Sequence, residues 1–514
     1  MSFDLALVPL FLVAFAVLFA YRKKLIEKGQ SPGFMWLAKW SAIAALSGVV
    51  LNFLVSFLPI ADLLPFLSVV FIVGAFWFFF LRRPGRDDKH QRGGTVVAGA
   101  VLQKLARGID KKAEVFVGRV GIPRNMENRH FLLSGSTGSG KSQAFYQIAE
   151  VARRRGDAAV VADVNAEMLG RLYDPARGDV ILNSLDTRSE NWSPLAEISG
   201  SWDADRIAKS IIPAGDGSAA EWNHYAQVLL SAVLAKTWRD GGSNFDLTNL
   251  LLTSPNDELA KALAGSQAAQ LFAPGAERML SSIRAITATY CQPLSYLSPS
   301  AGRDGFSITK FVQAEAETKR GAWLFFPVRD DFFKSFRSLI AGQIDIAISA
   351  LLSSPDDEAR RVWFMLDEFA TWGRIASITD LLTKARKKGG VGVLGLQSIS
   401  QIRETYGREG AQTLLANLGN WLTLRAGDAE TADFMSKNIG DEQVRRTNLS
   451  TNADGKESTS EQIAMQRVLL PAELQKLADL VGILNIAGPL PAGWVTVPVS
   501  ALTRKQPAFE MVNS

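Results

Sequence analysis

The sequence has little of the material from which disulfides and zinc sites are built. Its 514 residues include 1 cysteine, Cys291, and 3 histidines, which excludes an intramolecular disulfide and leaves few ligands for a Cys/His zinc site. We therefore expect any metal to be held by oxygen ligands. A large excess of charge is also lacking, because the formal net charge is only +5. This balance is compatible with a nucleic-acid partner but does not argue for one.

The first ninety residues are more apolar than a soluble domain tolerates. Three runs stand out, Leu5–Ala20, Ser41–Leu58 and Leu63–Leu81. A helix of about 18 residues rises roughly 27 Å, close to the ~30 Å thickness of the hydrocarbon layer. The second and third runs can therefore each span a bilayer, whereas the first is marginal.

Basic residues flank these runs unevenly. They follow the first run, at 22–28, and the third run, at 82–92, whereas the loop Pro59–Asp62 has no basic residue. The positive-inside rule then predicts three spans within residues 1–92, with the amino terminus outside and the rest of the chain in the cytoplasm. A cleavable signal peptide is the alternative for the first run, but its charges would precede the apolar stretch.

From about Thr95 the pattern becomes that of an α/β protein. Short β-branched or aromatic runs alternate with helical stretches, which predicts a parallel, doubly wound sheet. The candidate strands are Arg129–Ser134, Ala158–Asp163, Val180–Asn183, Ala322–Pro327, Val362–Asp367, Val391–Gln397 and Trp421–Arg425.

Two stretches interrupt this alternation. Residues 191–304 show apolar residues at helical spacing without a good strand pattern, which predicts an all-α insertion between a nucleotide-binding domain made of 93–190 and 305–514. The stretch Arg445–Glu461 is rich in Ser, Thr and Asn and nearly free of apolar residues. We interpret it as a mobile loop.

A phosphate-binding loop follows the first candidate strand. The pattern GxxxxGKS stands between that strand and the helical stretch Gln143–Arg154, which is the context a P-loop requires. We expect Lys141 to reach the β- and γ-phosphates of ATP and Ser142 to bind Mg²⁺, with backbone N–H groups and the helix dipole holding the phosphates. The residues of the loop are Gly135, Ser136, Thr137, Gly138, Ser139, Gly140, Lys141 and Ser142.

Two carboxylates, Asp367 and Glu368, end the strand Val362–Asp367. Ligands of parallel sheets bind at the carboxyl ends of the strands, so Asp367 is a candidate for the magnesium shell and Glu368 for the base that activates water. A solvated acidic turn is the alternative for an isolated Asp-Glu pair, but the P-loop upstream disfavours it.

Three further residues are candidates for sensing or stabilising the transferred phosphate. Gln397 ends another strand and is a candidate γ-phosphate sensor, although it fits an ordinary strand-end amide too. Arg386 is our first candidate for an arginine finger that reaches a neighbouring subunit, and Arg425 is the second. Either arginine equally fits a solvated surface charge.

Taken together with the apolar runs and the P-loop, several further stretches resemble the type IV coupling proteins of conjugation and type IV secretion. The resemblance covers nearly the whole chain. Its stretches are Tyr173–Asn183, Asn191–Leu195, Leu366–Ala370, Gln397–Ser398 and Gly427–Ala432.

This resemblance implies a RecA-like, P-loop ring ATPase with an all-α insertion domain and an N-terminal transmembrane anchor. It implies a homo-hexamer in the bacterial inner membrane that uses ATP and Mg²⁺ to pump relaxase-bound DNA, without sequence specificity, into a type IV secretion channel. Lys141 and Ser142 would then bind ATP·Mg, and Asp367 with Glu368 would support hydrolysis. Members commonly have two membrane helices, so two or three spans both stay open.

Two other functions compete with this one. One is a DNA translocase of the FtsK/HerA kind. A long linker and a C-terminal winged helix that binds DNA would favour it, and the sequence shows neither. A secretion adaptor for protein substrates would bind nucleotide only for assembly and would have no need of a base at Glu368.

Overall fold

A computed structural model describes residues 89–451 and 457–512. The apolar runs for which we predict membrane spans lie outside the described residues. Among the described residues, one helix, Asp330–Ser353, is long and apolar enough to cross a bilayer, but 72% of its apolar stretch is buried inside the protein. The described residues form two units. One contains 89–92 and the described parts of 443–466, and the other contains 93–442 and 467–512.

Strands and helices alternate through the middle of the chain. The strands are β1 Lys89–Gly93, β2 Val96–Val97, β3 Phe116–Val117, β4 Val120–Gly121, β5 Phe131–Ser134, β6 Ala158–Val164, β7 Val180–Ile181, β8 Trp323–Val328, β9 Val362–Leu366, β10 Gly390–Leu396, β11 Asn420–Thr423, β12 Asp441–Thr451, β13 Glu457–Arg467, β14 Val481–Asn485 and β15 Ala492–Thr496. The helices are α1 Gly99–Ile109, α2 Arg124–Glu127, α3 Lys141–Arg155, α4 Leu169–Leu172, α5 Ser201–Ile211, α6 Ser218–Arg239, α7 Asn244–Thr248, α8 Asn256–Ala262, α9 Glu277–Cys291, α10 Ile308–Thr318, α11 Asp330–Ser353, α12 Ile378–Lys384, α13 Ile399–Ala416, α14 Ala429–Ile439 and α15 Pro471–Leu474.

The main sheet has ten strands in the order β2-β15-β14-β11-β5-β10-β9-β6-β8-β7. From β11 to β7 all neighbours are parallel. On the other side of β11, however, β14 is antiparallel to β11 and β15 is antiparallel to β14. The expectation of a purely parallel sheet is therefore wrong. The short connection 486–491 accounts for the antiparallel pairing of β15 with β14, since a hairpin joins antiparallel strands whereas parallel neighbours need a long crossover. The direction of β14 beside β11 is set by long-range pairing.

Alternate residues of the central strands enter two separate cores. In β9, Phe364 belongs to one hydrophobic cluster, together with α11 residues such as Ile344. Its neighbour Met365 belongs to the other, together with α3 residues such as Phe145. Because successive side chains of a strand point to opposite faces, this division covers both faces of the sheet with helices. The continuous apolar runs that predicted these strands have this physical origin.

Every regular element between Ser193 and Gly305, all of them described, is helical. Helix α6 is the longest of them and buries Ala226, Leu229, Leu230 and Val233 at helical spacing. The sheet therefore continues from β7 to β8 only after this helical region. Its status as a separate insertion domain stays a prediction.

The stretch Arg445–Glu461, for which we expected a mobile loop, is mostly strand. It contains the end of β12 and the start of β13, which form a three-stranded sheet with β1, whereas 452–456 lie outside the described residues. Arg445 forms an ion pair with Glu461 at 2.9 Å across the two strands. A strand with polar residues along it needs no apolar alternation, because its backbone hydrogen bonds are satisfied by its neighbours.

Candidate nucleotide-binding site

Four adjacent strands, β5, β10, β9 and β6, end at one edge of the sheet. The P-loop follows β5, Gln397 follows β10, Asp367 follows β9, and Asp163 lies near the end of β6. Parallel strands bring their carboxyl ends together, so four strands supply polar groups to one edge. Strand β10 lies between the P-loop strand and the strand that carries the two carboxylates.

Glycines give the P-loop its path. Gly138 and Gly140 have φ values of 76° and 107°, in the left-handed region that residues with a Cβ disfavour. A Cβ on Gly140 would also lie 2.7 Å from Cδ2 of Leu480. An alanine at position 140 would therefore have a strained backbone and would clash with the Leu480 side chain.

The loop leaves a row of donors without acceptors. Helix α3 begins at Lys141 and has no side-chain cap, and in the described part of the chain no group accepts from the N–H of Gly138, Gly140, Lys141 or Ser142. Ser139 Oγ and Lys141 Nζ are buried and have no hydrogen-bond partner there. Unsatisfied donors at a helix N-terminus form an anion site. The residues therefore fit the phosphates of a nucleotide.

Among the residues that the structure describes, Lys141 has one close charged neighbour. Its Nζ lies 3.0 Å from Oδ1 of Asp367, and the exposed fractions of the two side chains are 8% and 21%. Because Lys141 Nζ forms no hydrogen bond within the described residues, the attraction is mainly electrostatic. Asp367 thereby provides the counter-charge that a buried ammonium requires.

The two carboxylates that follow β9 occupy a tightly built turn. Asp367 Oδ1 accepts the N–H of Glu368 at 2.8 Å, and Glu368 has a φ of 50° without being glycine. On the neighbouring strand, a Cβ on Gly395 would lie 2.4 Å from Asp367 Oδ1. Positive φ at a non-glycine residue costs about 1–3 kcal/mol and is concentrated at functional sites.

Gln397 contacts Glu368 directly. The side-chain Nε2 of Gln397 donates a hydrogen bond to Oε1 of Glu368, so the amide that ends β10 holds the carboxylate that follows β9. The sequence predicts both residues at strand ends but not this contact. Their roles in hydrolysis stay predictions.

Asp163 belongs to the same edge, and sequence analysis did not single it out. Burial raises the pKa of Asp163 to about 7, and its carboxylate accepts the N–H of Glu167 at 3.1 Å and of Leu169 at 2.8 Å. Its position at the end of a predicted strand was the available signal. It lines a cavity of about 240 Å³ together with Ser142, Tyr146, Asn165, Asp330, Asp367 and Glu368.

The two candidate arginines lie in different places. Arg386 is exposed in the short helix Ala385–Lys388 that precedes β10, at the edge opposite the P-loop, so it does not reach the site of its own chain. Arg425 follows β11 and flanks the P-loop: its carbonyl accepts the N–H of Ser136 at 2.8 Å. Its guanidinium pairs with Asp479 at 2.6 Å.

The segment after Glu368 is fixed to the helical region by two contacts. Arg374 pairs with Asp216, before α6, at 2.7 Å. Buried Asp345 in α11 accepts from the N–H of Ser377 and from Ser210 Oγ of α5 at 2.6 Å. The carboxylate turn and the helical region therefore share a continuous set of polar contacts.

Tyr406 in α13 secures the middle of this segment. Its hydroxyl accepts the N–H of Ile375 at 3.1 Å and donates to the carbonyl of Gly373 at 3.2 Å. The side chain is buried, so water does not readily replace these bonds.

A P-loop between a parallel strand and a helix, with two carboxylates on a nearby strand end, defines a nucleotide-binding α/β protein. A family model described as the type IV secretion-system coupling protein DNA-binding domain matches residues 114–498. The chain therefore belongs to the type IV secretion-system coupling protein family.

Individual relatives agree with this membership. The coupling protein TraD of Escherichia coli (strain K12) is 28% identical over 439 residues, which cover 83% of this chain and 61% of that protein. The chain thus spans about three fifths of the length of that relative. The conjugal transfer protein TraG of Rhizobium radiobacter is 31% identical over 134 residues, or 25% of this chain and 21% of that protein.

Solved structures of TrwB have the same fold. The bacterial conjugative coupling protein TrwBdeltaN70, in its unbound monoclinic form, is 33% identical with a TM-score of 0.75, covering 82% of this chain and 96% of that one. TrwB in complex with ADP and Mg²⁺ is 32% identical with a TM-score of 0.74, covering 83% and 98%. TrwB has also been solved with the non-hydrolysable ATP analogue ADPNP.

Proposed function

We propose that this protein is an ATP-driven motor that couples DNA to a type IV secretion channel during bacterial conjugation. The observation that carries the proposal is the row of uncapped N–H donors at the start of α3, facing the strand ends that hold Asp367, Glu368 and Gln397. Membership of the coupling-protein family supports the DNA substrate. The TrwB complexes with ADPNP and with ADP and Mg²⁺ support ATP and Mg²⁺ as ligands.

The P-loop would hold the triphosphate. The N–H groups of Gly138, Gly140 and Lys141 donate to phosphate oxygens, and the Lys141 ammonium offsets their charge. Ser142, with Asp367, would hold Mg²⁺. When bound, Mg²⁺ neutralises charge that develops on the transferred phosphate. Lys141 is then shared between Asp367 and the phosphates.

Glu368 would position and deprotonate the attacking water. A carboxylate at the end of β9 suits this role because it is fixed by Gln397 rather than free in solvent. Through the same hydrogen bond, a shift of the Gln397 side chain would change the position of the Glu368 carboxylate. This coupling suits a residue that senses the γ-phosphate. Asp163, in the same cavity, adds a further carboxyl group beside Asp367.

We infer the assembly from the family and from the sequence. Residues 1–92 would anchor the chain in the bacterial inner membrane through two or three helices, with the ATPase domain (93–190 and 305–514) and the insertion domain 191–304 in the cytoplasm. A RecA-like homo-hexamer would surround DNA, receive it from a relaxase and face the secretion channel. Arg386 lies at the edge away from its own P-loop, which supports a role toward a neighbouring subunit.

ATP hydrolysis by the full chain in vesicles, with and without DNA, tests this function. We expect DNA to raise the rate and added salt to suppress the rise, because binding to phosphates releases counterions. Lys141→Thr serves as the background control. An ATP hydrolysis rate that DNA does not change at any salt concentration would contradict a DNA motor and favour a nucleotide-dependent adaptor.

A further inference from the structure

Helix α1 has an apolar face that nothing described in the structure covers. Leu102 and Ala106 are buried against the rest of the protein, but Val101, Leu105 and Ile109 are 47%, 42% and 44% exposed. Residues four apart lie on one side of a helix. The three side chains therefore form a continuous stripe, which we call the α1 stripe.

Positive charge accompanies the α1 stripe. Lys104 and Arg107 lie on the exposed half of α1, Lys111 follows the helix, and α1 contains no acidic residue. Within the ranges that the structure describes, no carboxylate pairs with any of these three cations. An apolar stripe beside unpaired cations is the composition of helices that lie on anionic membranes.

The position of α1 in the sequence keeps it within reach of the membrane that residues 1–92 are proposed to cross. The last apolar run ends at Leu81 and α1 begins at Gly99, so even a fully extended connection reaches no further than about 60 Å. A second copy of the chain is a poorer occupant. Three half-exposed side chains provide far less than the ~800 Å² per partner that a stable protein interface buries, and a copy of α1 offers only more positive charge.

We propose that α1 docks on the anionic lipid surface of the cytoplasmic leaflet. Val101, Leu105 and Ile109 enter the headgroup region, while Lys104, three residues from Val101, and Lys111 contact lipid phosphates; Arg107, on the flank of α1 away from the stripe, adds to the attraction by the anionic surface. The proposal rests on the proposed function in one respect, the anchoring of residues 1–92 in that membrane. Docking would fix the orientation of the ATPase domain to the bilayer, beyond what the covalent connection to residues 1–92 provides.

Lipid quenching of a fluorescent label tests the proposal in the full chain. Leu105→Cys carries an environment-sensitive label, and Gln412→Cys, exposed on α13, is the matched control; the natural Cys291 is fully buried and stays unlabelled. The vesicles contain phosphatidylglycerol and phosphatidylcholine with quencher-bearing lipids. We expect quenching at position 105 and none at 412, and less quenching when phosphatidylglycerol is left out.

A charge-reversed pair supplies the second arm. Lys104→Glu with Arg107→Glu should weaken docking by roughly fivefold or more per charge, whereas the exposed pair Lys261→Glu with Arg278→Glu should leave quenching unchanged. Flotation with the vesicles reports anchoring separately. If the chain floats but the label at position 105 is not quenched, the docking of α1 is wrong while the anchoring of residues 1–92 stands. If the chain does not float, the anchoring is wrong as well. If the label at position 105 is shielded from water to the same extent in detergent as in vesicles, and lipid quenchers have no effect, the α1 stripe contacts a second copy of the chain instead of lipid.

Discussion

Lys141 and Asp367 form an ion pair, with Nζ 3.0 Å from Oδ1, between the P-loop and the end of β9. Asp367→Asn removes the negative charge and leaves a buried ammonium without a partner. Breaking a fully buried pair costs ~3–5 kcal/mol, and the partial exposure of Asp367 reduces our expectation to roughly 2 kcal/mol. Denaturant unfolding without nucleotide measures this loss. Asp380→Asn is the control, because its pair with Lys384 is exposed; equal losses in both variants would show that the Lys141 pair is not special.

Glu368→Gln should keep nucleotide affinity but lose turnover, because the amide preserves shape and cannot accept a proton. Gln397→Ala should slow turnover by about 10–100-fold, since Glu368 then lacks the donor that holds it. Binding of a fluorescent ATP analogue and single-turnover hydrolysis separate the two effects. Loss of binding together with turnover would make Glu368 structural.

Mixing variant subunits distinguishes the two arginines. Arg386 lies away from the P-loop of its own chain, so Arg386→Ala and Glu368→Gln subunits should partly restore each other's ATPase activity when mixed, because each supplies what the other lacks. Arg425 flanks its own P-loop, so Arg425→Ala mixed with Glu368→Gln should recover much less. An arginine delivered in trans is worth ~10³-fold or more in rate in other systems. Equal recovery in both mixtures would contradict this assignment.

Buried His130 should make stability depend on pH. Desolvation lowers the pKa of His130 to about 4, and its Nδ1 accepts the N–H of Gly392 at 3.0 Å, which requires the neutral ring. In the unfolded chain the pKa of His130 is near 6.5. The contribution of the neutral ring to the free energy of unfolding is therefore complete above that pH, and it is lost as the pH falls toward about 4, at roughly 1.4 kcal/mol per pH unit. We expect His130→Gln to remove this slope and exposed His224→Gln to retain it. Unfolding free energies at pH 7.5 and 5 measure the difference, and parallel slopes in all three proteins would contradict it.

Removing residues 1–88 should yield a protein that stays in solution without detergent, because the apolar runs end at Leu81. The cut should precede Lys89, since β1 spans Lys89–Gly93 and belongs to the sheet of β12 and β13. Removal of 1–92 deletes most of β1 and uncovers a strand edge, so it should aggregate more readily. Light scattering compares the two, and a detergent requirement for both would reveal a further membrane contact.

The strands that the sequence predicts well are those with both faces buried. Ala158–Asp163 is found as Ala158–Val164 and Val391–Gln397 as Gly390–Leu396, because burial on both faces demands an uninterrupted apolar run. Strand β14 has an apolar run of only four residues, Val481–Leu484, which the sequence analysis did not separate from its surroundings, and β12 is largely polar. These strands are defined by pairing, which a local pattern does not contain.

The candidate site also has a part that a local pattern predicts and a part that depends on strand order. The P-loop is a local motif, so its eight residues could be predicted together. The contacts Lys141–Asp367 and Gln397–Glu368 depend on the placement of β10 between β5 and β9, and strand order is not a local property. Arg386 stayed open between a finger and a solvated charge for the same reason, because which edge of the sheet it occupies follows from the direction of β10.

Tyr406 and Asp345 bind backbone groups on both sides of Arg374. The stretch from Gly373 to Ser377 is therefore held to α13 and α11, and moving it away from them would break buried hydrogen bonds. A displacement of the carboxylate turn would therefore strain the contacts that lead to Ser210 in α5 and to Asp216 before α6. The chain thus has a continuous set of contacts between the proposed site of hydrolysis and the helical region that separates β7 from β8.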